Sequence, residues 1–298
     1  MESSKEFRSG FVALVGRPNA GKSTLMNHMV GQKVAIMSDK PQTTRNKIMG
    51  IVNGENSQTI FIDTPGIHKP RHRLGEIMVR AAESTLSEVD VVVWVVDCTQ
   101  KMGSGDEFVA ERLKRAQTPV ILALNKIDLM DKRELLPLLE SYSQLRDFAA
   151  VIPISAKTGE NVDGFSGEIS KRLPRGPMYF PEDMVTDQPE RLIMAELIRE
   201  KALEMTREEI PHAIGVEMEE ITPRPNGDIY ARAVIYVERD SQKGIVIGKK
   251  GAMLKEIGKK GREDIEALLG NKVFLELWVK VKKDWRNSNR AIQQIAAQ

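Results

Sequence analysis

The sequence predicts an α/β domain, built on a mostly parallel six-stranded sheet with helices on both faces, followed by a smaller α+β domain. Three observations carry this. Short, continuously apolar runs alternate with helical stretches through the first half of the chain. A proline-rich stretch then breaks the pattern. Beyond it the order becomes helix, strand, strand, helix, strand, helix.

Phe11–Val15 is an unbroken apolar run between Gly10 and Gly16, and Gln58–Ile62 is another that ends at Asp63. Asp90 and Asp97 enclose six apolar residues, and Pro119–Leu124 and Val151–Ile154 complete the series. Strands apolar on both faces belong to a sheet covered on both sides. Ile48–Val52, followed by Asn53-Gly54, reads as one arm of a hairpin with the strand that ends at Ile62, so one strand runs antiparallel. Pro174, Gly176, Pro177, Pro181 and Pro189 mark an interdomain linker. The expected division is therefore 1–173, a linker at 174–190, and 191–298. In the last part a helix is expected over Arg191–Thr206, strands near Ile214–Ile221 and Ile229–Val237, and a Gly-rich basic turn at Gly244–Gly251. A helix through Leu254, Ile257, Ile265 and Leu268, a strand near Val273–Val281 and a final helix from Asp284 follow.

With 298 residues, 41% hydrophobic and 29% charged, the chain has the composition of two ordinary globular domains. A single cysteine, Cys98, excludes an intramolecular disulfide framework and suits a reducing, cytoplasmic setting; it is expected to be a semi-buried small residue. Met1–Gly10 has no apolar leader core, and no apolar stretch is long enough to span a bilayer. The net charge of +2 hides an asymmetry: residues 182–242 hold seven Lys/Arg against fifteen Asp/Glu, a balance of −8, whereas 243–290 hold thirteen against six, a balance of +7. A basic stretch of this density suits a polyanion, or else simply forms solvated helix faces.

Gly16-Arg17-Pro18-Asn19-Ala20-Gly21-Lys22-Ser23, with Thr24 next, fits the phosphate-binding pattern G-x-x-x-x-G-K-S and lies between an expected strand and an expected helix. Its backbone N–H groups can converge on phosphate oxygens at a helix N-terminus. Lys22 can reach the β- and γ-phosphates, and Ser23 can place its hydroxyl on Mg²⁺. Asp63-Thr64-Pro65-Gly66 follows 47 residues after Gly16 at a strand end; Asp63 suits the Mg²⁺ side and Gly66 can offer its N–H to the γ-phosphate. Asn125-Lys126-Ile127-Asp128 follows another strand. The Asp128 carboxylate can accept from N1–H and the 2-amino group of guanine, a donor pair adenine lacks, which argues against a P-loop kinase or ATPase. Ser155-Ala156-Lys157 would close the base pocket through a backbone N–H. His68 and His72 form no metal-ligand cluster, so Mg²⁺ with GTP or GDP is the expected cofactor.

These motifs, in this order, resemble those of the translation-factor-related GTPases and, within them, the Era family, bacterial GTPases with a C-terminal KH domain. Pro41-Gln42-Thr43-Thr44-Arg45 is similar to that family's switch I, which makes Thr44 (alternatively Thr43) the residue that touches Mg²⁺ and γ-phosphate. Lys22, Thr44, Gly66 and Asn19 are then the catalytic candidates, and Ser23, Thr44 and Asp63 the metal set. Asn19 stands where related GTPases bind K⁺; capping of the loop by its side chain is the other reading. Ile67 occupies the place where many small GTPases carry a water-orienting glutamine, so slow intrinsic hydrolysis is expected.

Gly244-Ile245-Val246-Ile247-Gly248-Lys249-Lys250-Gly251 contains the GXXG loop of KH domains, which clamps about four nucleotides of backbone. Lys249 and Lys250 would neutralise phosphates, and Ile245, Val246 and Ile247 would form a floor for bases. The element order fits a type II KH domain. Trp278 is expected in the core, and Trp285 is left open. The resemblance, from about Phe11 to Ile292, implies binding of the 3′ end of 16S ribosomal RNA and a role in assembling the small ribosomal subunit; the expected molecule is a GTP switch, and a monomer. GTP would order switch I, about 39–49, and switch II, about 63–74. The alternative is a GTPase whose C-terminal domain is a protein-interaction module. Peripheral attachment to the inner face of the cell membrane is neither required nor excluded by the basic surface.

Overall fold

A computed structural model of the chain describes residues 6–40, 43–67, 70, 72–114 and 116–296. Pro41, Gln42 and His68, assigned above to switches I and II, lie outside the described residues. The chain forms two compact units. The first takes in Met1–Ala35, Asn46–Pro70 and Ile77–Asp187; the second takes in Ile36–Arg45, Arg71–Glu76 and Gln188–Gln298.

The first unit contains β1 (Arg8–Val15), α1 (Lys22–Val30), β2 (Ile48–Gly54) and β3 (Ser57–Asp63). After these come α2 (Arg73–Thr85, its first turn counted with the second unit), β4 (Val91–Asp97), α3 (Ser104–Leu113), β5 (Val120–Asn125), α4 (Leu135–Ser143), β6 (Ala150–Ile154) and α5 (Val162–Ser170). The six strands are ordered β2-β3-β1-β4-β5-β6, and only β2 is antiparallel to its neighbour. The strand period of two splits each apolar run between two cores. Val12, Leu14, Val91, Val93, Val95, Ile121 and Ala123 pack on one face of the sheet. Ala13, Val15, Val92, Trp94, Val96, Leu122 and Leu124 pack on the other. This is why these strands read as continuously apolar. It also leaves β1, β3, β4 and β5 with their C-terminal ends on one edge of the sheet, where the loops that carry the motifs begin.

The stretch expected as a linker differs from that expectation. Residues 174–187 belong to the first unit and are strapped along its sheet edge. Gln58 accepts from the N–H groups of Tyr179 and Phe180 at 2.8 and 3.0 Å and donates to Phe180 O at 2.8 Å. Ile51 N donates to Val185 O at 2.9 Å, and Thr186 Oγ1 to Met49 O at 2.6 Å. Prolines cannot continue a ladder, but the residues between them can cap an exposed edge strand, and here they cover β2.

The second unit contains α6 (Glu190–Met205), the short α7 (Ile210–Ala213), β7 (Gly215–Pro223), β8 (Ile229–Val237), α8 (Asp240–Ile247), α9 (Ala252–Leu269), β9 (Val273–Val281) and α10 (Asn289–Ile295). Its sheet order is β7-β8-β9, with β7 antiparallel and β9 parallel to β8. One face packs on α6, α8 and α9 through Ile198, Val246, Ile257, Ile265, Ala231, Ile235 and Val279. Two expectations are corrected here. Gly244–Ile247 is not part of the turn: α8 runs through it, because Val246 is fully buried and that packing outweighs the roughly 1 kcal/mol that Gly244 costs a helix. Trp278 is not in the core but 54% exposed, since strand alternation sends Val279 inward and Trp278 outward. The core indole is Trp285, fully buried and donating to Ala213 O at 2.9 Å.

Candidate nucleotide and RNA sites

β1 ends at Val15, the chain turns through Gly16–Gly21, and α1 starts at Lys22. Gly21 has φ +97°, and a Cβ there would sit 2.2 Å from Asn125 Nδ2, so only glycine lets the loop close on β5. Asn125 holds the closure from the other side: its Nδ2 donates to Ala20 O at 2.8 Å and its Oδ1 accepts from Ala156 N at 2.9 Å. One amide thus ties the phosphate loop to the loop after β6, and three of the sequence motifs become a single rigid site. A bound guanine must share or displace the Ala156 N–H. Ser155, fully buried, accepts from Thr158 N at 3.1 Å and shapes that loop.

Lys22 is 5% exposed and donates to the carbonyls of Arg17 and Gly16 at 3.0 and 3.4 Å. Burial pushes its pKa below the ordinary lysine value, against the opposing charge of Asp63. Its ammonium is therefore held ready for anionic oxygens that would restore its preferred charge. Ser23 Oγ donates to Asp63 Oδ2 at 2.6 Å. Two hard oxygen groups, one in the first turn of α1 and one at the end of β3, fit Mg²⁺. Among the described residues no three His, Cys, Asp or Glu side chains gather as a metal site, and phosphate and water oxygens are the usual further ligands of Mg²⁺. Thr64 Oγ1 donates to Leu14 O at 2.8 Å and Ile67 N to Gly16 O at 3.0 Å, which fixes Asp63–Gly66 beside the phosphate loop. The side chain of Ile67 is fully buried among Ala13, Val15 and Trp94.

Asp128 is exposed on a one-turn 3₁₀ helix, Ile127–Leu129, launched by Lys126 at φ +70°. Lys126 Nζ pairs with Asp97 Oδ2 at 2.6 Å. Partial burial alone would raise the pKa of Asp97, but the hydrogen bonds from Lys126 and Thr99 outweigh it and hold the carboxyl below its usual range. Asp97 and Asp106 are site residues that sequence reasoning missed; Asp106 accepts from Arg17 at 2.9 Å. The only signal was that each is an acid at an element end.

Thr44 lies in Ile36–Arg45, a segment that clusters with the second unit. There Glu200 accepts from Met37 N at 2.8 Å, and Arg199, 1% exposed, donates to Thr43 O and pairs with Glu196 at 2.6 Å. Arg45 donates to Ile214 O at 2.7 Å and lies over the Trp285 ring at 5.3 Å. Burial and the neighbouring Arg199 charge push its pKa down, offset by Glu196 and Glu238.

In the second unit the tight turn is Gly248–Gly251, between α8 and α9. Gly248 has φ +73°, and a Cβ there would meet Met253 N at 2.9 Å. Lys249 and Lys250 are exposed at the tip. Of the expected base floor, Ile245 is 48% exposed, Ile247 is partly buried and Val246 is fully buried in the core. Behind the turn, α9 and β9 enclose a groove of about 710 Å³, lined by Lys255, Lys259 and Arg262, with Glu256 as the one acid, and by apolar residues including Leu254 and Leu277. An apolar trough with a cationic wall suits single-stranded nucleic acid: bases on the floor, phosphates along the wall.

Residues 11–126 match the 50S ribosome-binding GTPase family and residues 209–286 the KH domain family. A crystal structure of Era in complex with MgGDPNP and nucleotides 1506–1542 of 16S ribosomal RNA is 43% identical, with 97% of this chain and 99% of that one covered and a TM-score of 0.94. The chain belongs to the Era family. An Aquifex aeolicus Era variant bound to GDP·AlF4⁻ is 42% identical over 97% of this chain and 99% of that one, with a TM-score of 0.93. As an Era-family protein the chain is a GTPase followed by a KH domain, with GTP, GDP and Mg²⁺ as its nucleotide-site ligands. The sequence expectation of fold class holds.

Proposed function

We propose that this Era-family chain is a GTP-hydrolysing switch that binds the 3′ end of 16S ribosomal RNA through its KH groove and assists small-subunit assembly in the cytoplasm. The observation that carries the reading is one chain holding both a phosphate loop braced by Asn125 and a GXXG turn above a basic groove. The Era solved with RNA nucleotides 1506–1542 of 16S ribosomal RNA supports the choice of partner. Crosslinking in cells followed by sequencing of the bound RNA tests it: reads piling up at the 3′ end of 16S RNA are expected, and their absence there overturns it.

Hydrolysis at this site is mainly positioning and electrostatics. Lys22 neutralises the β- and γ-phosphates, the Gly66 N–H meets the γ-phosphate, and Asp128 holds the base so that the chain of phosphates lies in the loop. Ser23 and Asp63 would hold Mg²⁺, which would supply charge stabilisation to the phosphate oxygens. Ile67 offers no polar atom and is locked in the core, so no side chain directly after Gly66 orients the water and the intrinsic rate is low. Asn19, exposed at φ +63°, is the candidate ligand for a K⁺ that would offset developing charge. Single-turnover hydrolysis is expected to run faster in K⁺ than in Na⁺, and Asn19→Ala to erase the difference. Equal rates in the two salts remove the cation from the mechanism.

Arg199 of the second unit holds Thr43 of switch I, and Arg45 of the same switch is tied to Ile214 O, so ordering of Thr44 by GTP is felt in the unit that binds RNA. RNA affinity is expected to differ between the GTP-analogue and GDP forms by about 5- to 150-fold, a typical coupling, and Arg199→Ala to shrink that ratio. Equal affinities in the unaltered protein exclude the coupling.

A further inference from the structure

The outer face of the β7-β8-β9 sheet, opposite its helices, carries an ordered aromatic surface that reaches beyond the GXXG groove. Phe274 and Trp278, four residues apart on β9, are 56% and 54% exposed. Tyr230 on β8 is the register partner of Phe274, and their rings stack at 6.0 Å with an 18° interplanar angle. Between the two exposed rings lies Glu276, whose oxygens accept from Tyr230 Oη at 2.6 Å and from Trp278 Nε1 at 2.8 Å. One carboxylate thus fixes two aromatic side chains. Arg224 lies over the Phe274 and Tyr230 rings at 5.2 and 5.5 Å and forms an ion pair with no described residue. The acids beyond it are engaged: Glu219 and Glu220 pair with Arg232 at 3.3 and 3.1 Å, and Glu219 with Lys280 at 2.7 Å.

Exposed aromatic side chains held in fixed orientations mark a binding surface more often than a solvated one. Phe274 also lines the groove between α9 and β9, so the surface continues the groove around the edge strand. We propose that this face is a second stacking platform for RNA. Unpaired bases flanking the segment in the groove stack on Phe274 and Trp278, and Arg224 takes a phosphate. The two rings are separated by about 13 Å along the strand, far enough for separate bases. Stacking on fixed rings is tolerant of base identity, so the platform extends the footprint without adding sequence readout. The inference rests on the RNA-binding reading above and deepens it.

The test uses the full chain loaded with GDPNP and Mg²⁺, and two probes: RNA of nucleotides 1506–1542 of 16S ribosomal RNA, and a four-nucleotide piece of its single-stranded 3′ segment. Trp278→Ala is expected to weaken the long RNA by roughly 5- to 150-fold per lost stack and to leave the four-nucleotide piece unchanged. Trp278→Phe is expected to restore most of the loss. Trp94 and Trp285 are fully buried, so quenching of tryptophan emission by the long RNA reports on Trp278. Unchanged long-RNA affinity in Trp278→Ala, or equal weakening of both probes, overturns the platform, and capture of a protein through this face with RNA affinity intact does the same. Failure of the unaltered protein to bind either RNA overturns instead the reading of the groove. Trp278 is exposed, and unchanged binding of the four-nucleotide piece in the groove of the same unit certifies the fold of each variant.

Discussion

Asp128→Asn is expected to lower GTP affinity by about 10²- to 10⁴-fold and to raise affinity for XTP at the same time. In the proposed site the carboxylate accepts from both N1–H and the 2-amino group of guanine, and hydrogen bonds to a charged group contribute about 1.5–3 kcal/mol each. The amide keeps one acceptor for N1–H but turns an NH2 donor against the guanine amino group, so one bond becomes a donor–donor clash. Xanthine carries a carbonyl at that carbon, which restores the match. The substitution should leave the fold alone, because Asp128 is exposed and sits on a single 3₁₀ turn. Displacement of a fluorescent GDP by GTP, XTP and ATP measures all three affinities. A variant that still prefers GTP, or an unaltered protein that holds ATP as tightly as GTP, ends the guanine reading.

The nucleotide site was legible in the sequence because its parts are local. A phosphate loop needs glycine at positions such as Gly21, a lysine and a hydroxyl in consecutive places, and a strand and helix on either side. All of that is written within one short segment. The sheet was legible for a related reason: a strand buried on both faces leaves no room for polar residues, so β4 shows as Val91–Val96 without interruption. What could not be read are the long-range partners. Nothing about Asp97 or Asp106 by sequence says that Lys126 and Arg17 will sit on them. Arg199 and Glu200 look like surface charges of an ordinary helix, yet both are buried, holding Thr43 O and Met37 N across more than 150 residues of chain. The misplaced Trp278 is a matter of parity: an indole is large and apolar enough to suggest the core, but a strand offers it either face, and the valine beside it took the inward one. The turn at Gly244 was overextended because glycine signals a break, and only the burial of Val246 shows that the helix continues past it.

Lys249→Glu combined with Lys250→Glu is expected to weaken RNA binding on the order of 10²-fold and to flatten its salt dependence. Each phosphate neutralised on a single strand contributes about −0.7 to the slope of log affinity against log salt, so losing two contacts should flatten the slope by about 1.4. Reversal of charge goes further than neutralisation, because two carboxylates at the tip of the GXXG turn then repel the backbone that Lys255, Lys259 and Arg262 attract. Both side chains are exposed, and the left-handed conformation of Lys250, φ +53°, is set by Gly248 and Gly251 on either side of the turn rather than by the lysine itself. The GDP and GTP affinities should stay as they are, since neither residue lies in the first unit. Titrations at several salt concentrations separate this effect from that of Trp278→Ala. Stacking on a neutral ring releases no counterions, so loss of the indole should lower affinity at every salt concentration with an unchanged slope. Loss of the two lysines should narrow the gap as salt rises. A pair of glutamates that leaves both affinity and slope untouched places RNA somewhere other than the groove and favours a protein partner for the C-terminal unit.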